Sequence, residues 1–238
     1  MKGILFDKDG TLLDFDAFWI PVTEGALSSL ARRCCVPSSA AKNAAEKMGM
    51  HGATADRGGI LCAGTYAQMS DAVRESFLEY GAALPADLEG EVYRAFQENI
   101  PRGKVLPTSP GLRGVLESLR REGYKLFVVT TDNAEITGMC LEQLGITGLF
   151  ERVYTDGAGY PAKPDPYIID MLAKEFSFAR NDLFMVGDTL TDMMFAHRGR
   201  IAGIGLAQRS PTDEAFARSA DVLISDLAEL PAVLKGMV

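Results

Sequence analysis

Asp7 and Asp9 stand at the end of a short apolar run, in KGILFDKDGTL over residues 2–12. Two carboxylates at i and i+2 on an extended backbone point to the same side. Where they leave a buried strand they can divide one task, one attacking an electrophile and the other moving the proton. Asp-Gly alone reads as a polar turn. Three later stretches lift the pair above that reading: Thr130 after KLFVV, Lys163 in AKPDP, and Asp188 with Asp192 in FMVGDTLTD. A carboxylate nucleophile, a hydroxyl donor, an ammonium and further acids are the groups that phosphoryl transfer needs. The phosphorus is ringed by negative oxygens, and a carboxylate reaches it only when those are neutralised by a cation and donors.

In this order the four stretches resemble the motifs of the haloacid dehalogenase superfamily, on its phosphatase side. The first motif, DxDG[TV], is matched by Asp7, Lys8, Asp9, Gly10 and Thr11. The second, a Thr or Ser after an apolar strand, is matched by Thr130. Lys163 before Pro164 matches the third, and Gly187 to Asp192 match GDxxxD, the fourth. Each motif is weak alone; the ordered set is specific and spans nearly the whole chain. The resemblance gives Asp7 the role of nucleophile, forming an aspartyl-phosphate, and Asp9 that of general acid and then base. The dehalogenase branch lacks the second Asp, so Asp9 favours phosphate transfer over carbon–halogen cleavage. Many phosphatases of this type carry Ser after the residue matching Asp14; Phe15 departs from that.

Around this pair, Gly10 and Thr11 admit a tight turn whose N–H groups are expected to face an anion. Lys8 lies between the acids and faces away from the site or toward the hinge of the inserted segment, where it reads as a solvated lysine. The Thr130 hydroxyl suits a phosphate oxygen, with Thr131 and Asn133 as substrate-side donors; Thr131 or Asp132 also suits a helix cap. Pro164 and Pro166 stiffen the loop that presents Lys163. Mg2+ prefers octahedral oxygen ligation. The expected ligands are the Asp7 and Asp188 side chains and the Asp9 backbone carbonyl, with Asp192 ligating directly or orienting a water or Lys163.

The elements that must position these groups follow from the patterning. Strands with short, fully apolar runs alternate with helices after Pro101, which argues for a parallel sheet covered on both faces. The expected fold is α/β, a Rossmann-like three-layer sandwich, with every motif at the carboxyl end of a strand. Expected strands are 3–6, 125–129, 150–154, 183–186, 201–204 and 222–224. Expected helices are 110–123, 133–145, 165–175, 192–198 and 212–219, with Tyr167, Ile168, Met171 and Leu172 inward. Residues 16–98 read as helix throughout, with segments at 18–33, 37–48, 70–80 and 85–96 and a Gly-rich stretch at 51–64. That block is expected as an inserted helical cap over 15–100, of the kind the family calls a C1 cap, with the core formed by 1–14 and 101–238. Hinges near residues 14–15 and 101–103 would let it close over the rim.

With a formal charge of -8, a nucleic-acid backbone is an unsuitable partner. Phosphate affinity must then come from local features: a bound cation, Lys163 and backbone donors. Apolar residues make up 47% of the chain without any run long enough to cross a membrane, and the start lacks the pattern of a signal peptide. A cytoplasmic protein is expected, a monomer or homodimer, with no membrane partner. Cys34, Cys35, Cys62 and Cys140 lack zinc-type spacing and are expected as free buried thiols.

The expected activity is Mg2+-dependent hydrolysis of a small phosphorylated metabolite, with 2-phosphoglycolate the substrate the resemblance suggests. A phosphomutase of the β-phosphoglucomutase kind shares the nucleophile and cap type, and a non-enzymatic binding role is the remaining alternative. In the cap, Arg57 is the candidate for a substrate carboxylate and Thr54 or His51 for a hydroxyl; each also reads as a surface loop residue.

Overall fold

The computed structural model describes residues 1–208 and 213–237. It divides into two units, residues 1–14 with 105–238 and the inserted segment 15–104. The expected boundary at 100/101 moves to 104/105. The helix over Leu88–Asn99 runs on through a 3-10 turn at Ile100–Arg102. The Lys104 N–H then donates to the Ala17 carbonyl at 3.1 Å, which ties these residues to the inserted unit.

The chain begins with strand β1 (Lys2–Phe6) and passes into the inserted unit. This comprises α1 (Phe15–Arg33), α2 (Ser38–Lys47), β2 (Met50–His51), β3 (Thr54–Ala55), α3 (Ile60–Ala63), α4 (Tyr66–Leu78) and α5 (Leu88–Asn99). It has its own apolar core, built around Leu27, Leu30, Met48, Val73, Phe77 and Phe96. The reading of this block as all-helical is corrected by β2 and β3, a short antiparallel hairpin in the Gly-rich stretch. Helix α4 starts at Tyr66 rather than at residue 70 because Thr65 and Gln68 form a reciprocal capping box. Asp87 caps α5, which therefore starts after residue 85.

The core unit continues with α6 (Leu112–Arg121), β4 (Tyr124–Val129), α7 (Ala134–Gln143), β5 (Arg152–Tyr154), α8 (Tyr167–Glu175), β6 (Leu183–Gly187), α9 (Leu190–Gly199), β7 (Ala202–Leu206), α10 (Glu214–Ser219), β8 (Val222–Ile224) and α11 (Leu230–Gly236). The strands form one sheet in the order β5-β4-β1-β6-β7-β8, every pairing parallel. The expected Rossmann-like α/β sandwich is what the chain forms. Alternate residues serve its two faces. Ile4, Phe6, Val128 and Val186 pack with Leu112, Leu116 and Leu230, while Leu5, Phe127 and Met185 pack with Ile169, Leu172 and Phe195.

Several local expectations are corrected. Tyr167, expected inward, is 48% exposed because it occupies the first position of α8. Helix α11 has no signal in the patterning, because LPAVLKG is too short to show helical periodicity. The expected start of α10 at residue 212 lies outside the described residues. The cysteines are free, but only Cys140 is buried, and Cys35 is exposed. Among the described residues no helix is long and apolar enough to cross a membrane.

Candidate active site at the sheet's carboxyl rim

Register brings the motif residues together. Phe6 lies opposite Val128 of β4 on one side and Val186 of β6 on the other. The residues that follow each strand therefore leave the sheet side by side. The Asp7 N–H still donates to the Val186 carbonyl at 2.9 Å, and the Thr130 N–H to that of Tyr154 at 3.0 Å. Both residues are extensions of the ladder, held by backbone rather than by loop packing.

Lys163 is the centre of the cluster. Its Nζ donates to Asp7 Oδ1 and to Asp192 Oδ1, both at 2.6 Å, and all three side chains are buried. Asp192 is fixed from its other oxygen: Oδ2 accepts from the Thr189 N–H at 3.1 Å and the Thr189 hydroxyl at 2.6 Å. These contacts form the capping box of α9, so helix start and lysine anchor are one structure. The Thr11 hydroxyl lies 3.5 Å from Asp188 Oδ1. Thr130 is buried, and its Oγ1 accepts from the Asp132 N–H at 3.2 Å. A hydroxyl that accepts in this way keeps its own proton for another acceptor.

Three expectations change here. Gly10 was expected to offer its N–H to an anion; instead it donates to the Leu13 carbonyl at 2.7 Å, because the turn closes on itself. What Gly10 supplies is space. Its φ is +83°, and a Cβ there would lie 2.0 Å from Asp188 Oδ2. The cap of α7 is Asn133, whose Oδ1 accepts from the Ile136 N–H at 2.9 Å, not Thr131 or Asp132. Thr131 is exposed at the rim. Lys8, read as solvated, is 0% exposed, with its Nζ 2.7 Å from Asp9 Oδ1 and 3.0 Å from Asp132 Oδ2. The side chain folds back over its neighbour instead of following strand parity outward. Lys8 and Asp132 are thus site residues the spacing did not reveal; the available signal was a lysine set in an otherwise buried strand end.

Electrostatics follow from burial. It raises the Asp7 carboxyl from an ordinary 3.8 to about 7, against the pull of Lys163 and aided by the Asp192 and Asp9 charges. Burial works against the charges of Lys163 and Lys8 as well. Asp192 and Asp7 outweigh it for Lys163, and Asp9 and Asp132 for Lys8, so both ammonium groups are held above their ordinary range.

One carboxylate oxygen each from Asp7, Asp188 and Asp192 lie within 4.8 Å of one another. An all-oxygen, all-carboxylate set, whose Asp188 carboxylate occupies the room that Gly10 leaves, fits a hard divalent cation such as Mg2+. A metal must displace the proton from Asp7. Between pH 4 and 7 the folded, metal-free protein holds that proton while the unfolded chain releases it. The Asp7 contribution to metal-free stability therefore falls as pH rises through that window. We expect the half-saturating Mg2+ concentration, read as a thermal-unfolding shift, to be about tenfold higher at pH 6 than at pH 8. A pH-independent shift would show that Asp7 is not a ligand.

A parallel sheet with an acid and lysine cluster at its carboxyl rim defines an aspartate-based hydrolase on a Rossmann-like fold. The chain belongs to the haloacid dehalogenase-like hydrolases, whose family profile matches residues 1–199. It is similar to the phosphoglycolate phosphatase of Vibrio cholerae, with 25% identity over 228 residues that cover 95% of this chain and 93% of that one. It is also 25% identical over 251 residues to the glyceraldehyde 3-phosphate phosphatase of Pyrococcus furiosus, covering 99% and 93%. The crystal structure of a predicted phosphoglycolate phosphatase from Haemophilus somnus superposes with a TM-score of 0.72 at 21% identity, covering 98% and 97%. At that identity the likeness speaks to the fold alone.

Proposed function

We propose that the chain is a Mg2+-dependent phosphomonoesterase acting on a small phosphorylated metabolite through an aspartyl-phosphate on Asp7. The observation that carries this reading is the buried Lys163 ammonium shared by Asp7 and Asp192, with Asp188 alongside. The free Asp7 oxygen attacks phosphorus while Lys163 orients the carboxylate through the other. Asp9 passes a proton to the bridging oxygen as the alcohol leaves, then takes a proton from water as it attacks the aspartyl-phosphate. Inorganic phosphate departs and Asp9 is again protonated. The Thr130 hydroxyl donates to a phosphoryl oxygen. Bound by Asp7, Asp188 and the Asp9 carbonyl, with Asp192 alongside, Mg2+ would offset the charge of the phosphoryl oxygens.

The substrate we assign is 2-phosphoglycolate, on the strength of the full-length similarity to the Vibrio cholerae enzyme. The similarity to a glyceraldehyde 3-phosphate phosphatase makes that ester the competitor to include. The test is phosphate release from 2-phosphoglycolate and from glyceraldehyde, sugar, nucleotide and pyridoxal phosphates, with and without Mg2+. Release that requires Mg2+ and is fastest per KM on 2-phosphoglycolate is expected; release without metal, or from none of these esters, would overturn the reading.

Arg57 is the cation we assign to the substrate carboxylate. Within its own unit it lies 3.5 Å from Asp16 Oδ1 and over the Phe15 ring, 4.9 Å from the centroid. Arg57→Ala is expected to raise KM for 2-phosphoglycolate about tenfold or more, the scale of one charge-assisted hydrogen bond. It should change p-nitrophenyl phosphate little. Parallel losses on both would assign Arg57 to the Asp16 contact and the fold of the inserted unit.

A further inference from the structure

Nothing in the reaction above uses Lys8, although it stands between the two motif acids. Placing an ammonium where no water reaches it is costly unless it is paired. Lys8 meets this with two carboxylates, Asp9 at 2.7 Å and Asp132 at 3.0 Å. Asp132 is itself held from three directions. Its Oδ1 accepts from the Asn133 N–H at 2.8 Å, its N–H donates to Thr130 Oγ1 at 3.2 Å, and its carbonyl accepts from the Asp156 N–H at 2.9 Å. Because β1 and β4 are neighbours in the sheet, the Lys8 ammonium joins the loops that follow them. One side chain thus connects the Asp9 carboxyl to the segment that carries Thr130.

We propose that Lys8 is a positioning residue for Asp9: anchored on Asp132, its ammonium holds the Asp9 carboxyl group where it can reach the leaving oxygen of the substrate. The second carboxylate is what makes the arrangement workable. With Asp9 Oδ1 held on Lys8, Oδ2 is the oxygen that carries the proton, and Asp132 balances the Lys8 charge while Asp9 is neutral. In that step the Asp9 O–H bond breaks and its proton joins the bridging oxygen. The P–O electron pair leaves with the alcohol as an Asp7 oxygen bonds to phosphorus. The inference rests on the phosphomonoesterase reading and deepens it.

The test compares kcat/KM for phenyl phosphate, whose leaving group needs a proton, with 2,4-dinitrophenyl phosphate, whose leaving group does not. Asp9→Asn sets the signature expected when the proton is withheld. Lys8→Met is expected to reproduce it, with phenyl phosphate falling by about 30-fold or more and the dinitrophenyl ester by less than about threefold. A merely structural lysine would lower both alike. Should Lys8→Met fail to fold, the double variant Lys8→Met with Asp132→Asn removes the lysine without stranding a buried carboxylate, and the same selective loss is expected. Full recovery of phenyl phosphate turnover in the double variant would overturn the proposal, since Lys8 would then serve only to neutralise Asp132. Equal losses on the two esters, no loss, or a gain on phenyl phosphate in Lys8→Met would overturn it too. If Asp9→Asn itself lowers both esters equally, the phosphomonoesterase reading of Asp9 fails first, and that outcome is distinct from a selective Asp9 effect that Lys8 does not share.

Discussion

Asp7→Asn is expected to lower kcat by at least about 10⁴-fold, the scale seen when a covalent nucleophile is removed. An amide oxygen cannot attack phosphorus, and among the described residues no other carboxylate shares the position at the end of β1 beside Lys163. The fold should tolerate the change. Lys163 keeps its 2.6 Å bond to Asp192, and the substitution removes a carboxyl whose ionised form burial already disfavours. The thermal midpoint of the metal-free protein at pH 8 is therefore expected to hold or rise. Beryllium fluoride, a mimic of the aspartyl-phosphate, should be retained by the parent and not by the variant. Phosphate release near the parental rate would end the nucleophile assignment.

The two acids of the last motif are expected to separate by readout. Asp188→Asn should cost more than about 100-fold in kcat, an estimate from the loss of a ligand to the catalytic cation. It should also abolish the thermal shift produced by Mg2+. Asp192→Asn should keep a Mg2+ response and instead lower the metal-free thermal midpoint. Both Asp192 oxygens are committed, one to Lys163 and one to the Thr189 N–H and hydroxyl. An amide NH2 must face one of those donors, and breaking a buried ion pair costs about 3–5 kcal/mol. Chelation should silence the parent in the manner of Asp188→Asn, with Mg2+ restoring it. Identical behaviour of the two variants would mean that Asp192 is a ligand on the same footing as Asp188.

Much of this arrangement could be read before the fold was in view, and the reasons are specific. Strands β1, β4 and β6 carry apolar runs, at 3–6, 126–129 and 183–187, that lead directly into Asp7, Thr130 and Asp188. A parallel sheet places such ends on one rim. Those three residues are set by backbone pairing, which depends on pattern alone. The misread positions are set by side-chain reach. Lys8 has a stem long enough to turn back over Asp9 and meet Asp132, a partner contributed by a different strand's loop. Parity along β1 carries no information about that contact. A Gly turn permits the Gly10 N–H to face an anion, but here it is taken by the Leu13 carbonyl. In the inserted unit the errors lie at helix starts, where one cap such as Thr65 or Asp87 moves a boundary by several residues.

The strand order also dictates when this molecule can be finished. Strand β1 precedes the other strands of its sheet in the chain, yet it lies in the middle of that sheet, between β4 and β6. One neighbour is not made until residue 129 and the other not until residue 187. Lys163 meets Asp7 across 156 positions of chain, and Thr11 meets Asp188 across 177. Contacts at such separations form late, after long loops have closed. The inserted unit is a continuous stretch with its own core, so it can compact while β1 still waits, an exposed apolar edge in the nascent chain. The Lys163 cluster is therefore assembled only once β6 has been made, and a product truncated before β6 would hold Asp7 without the neighbouring strand that seats it.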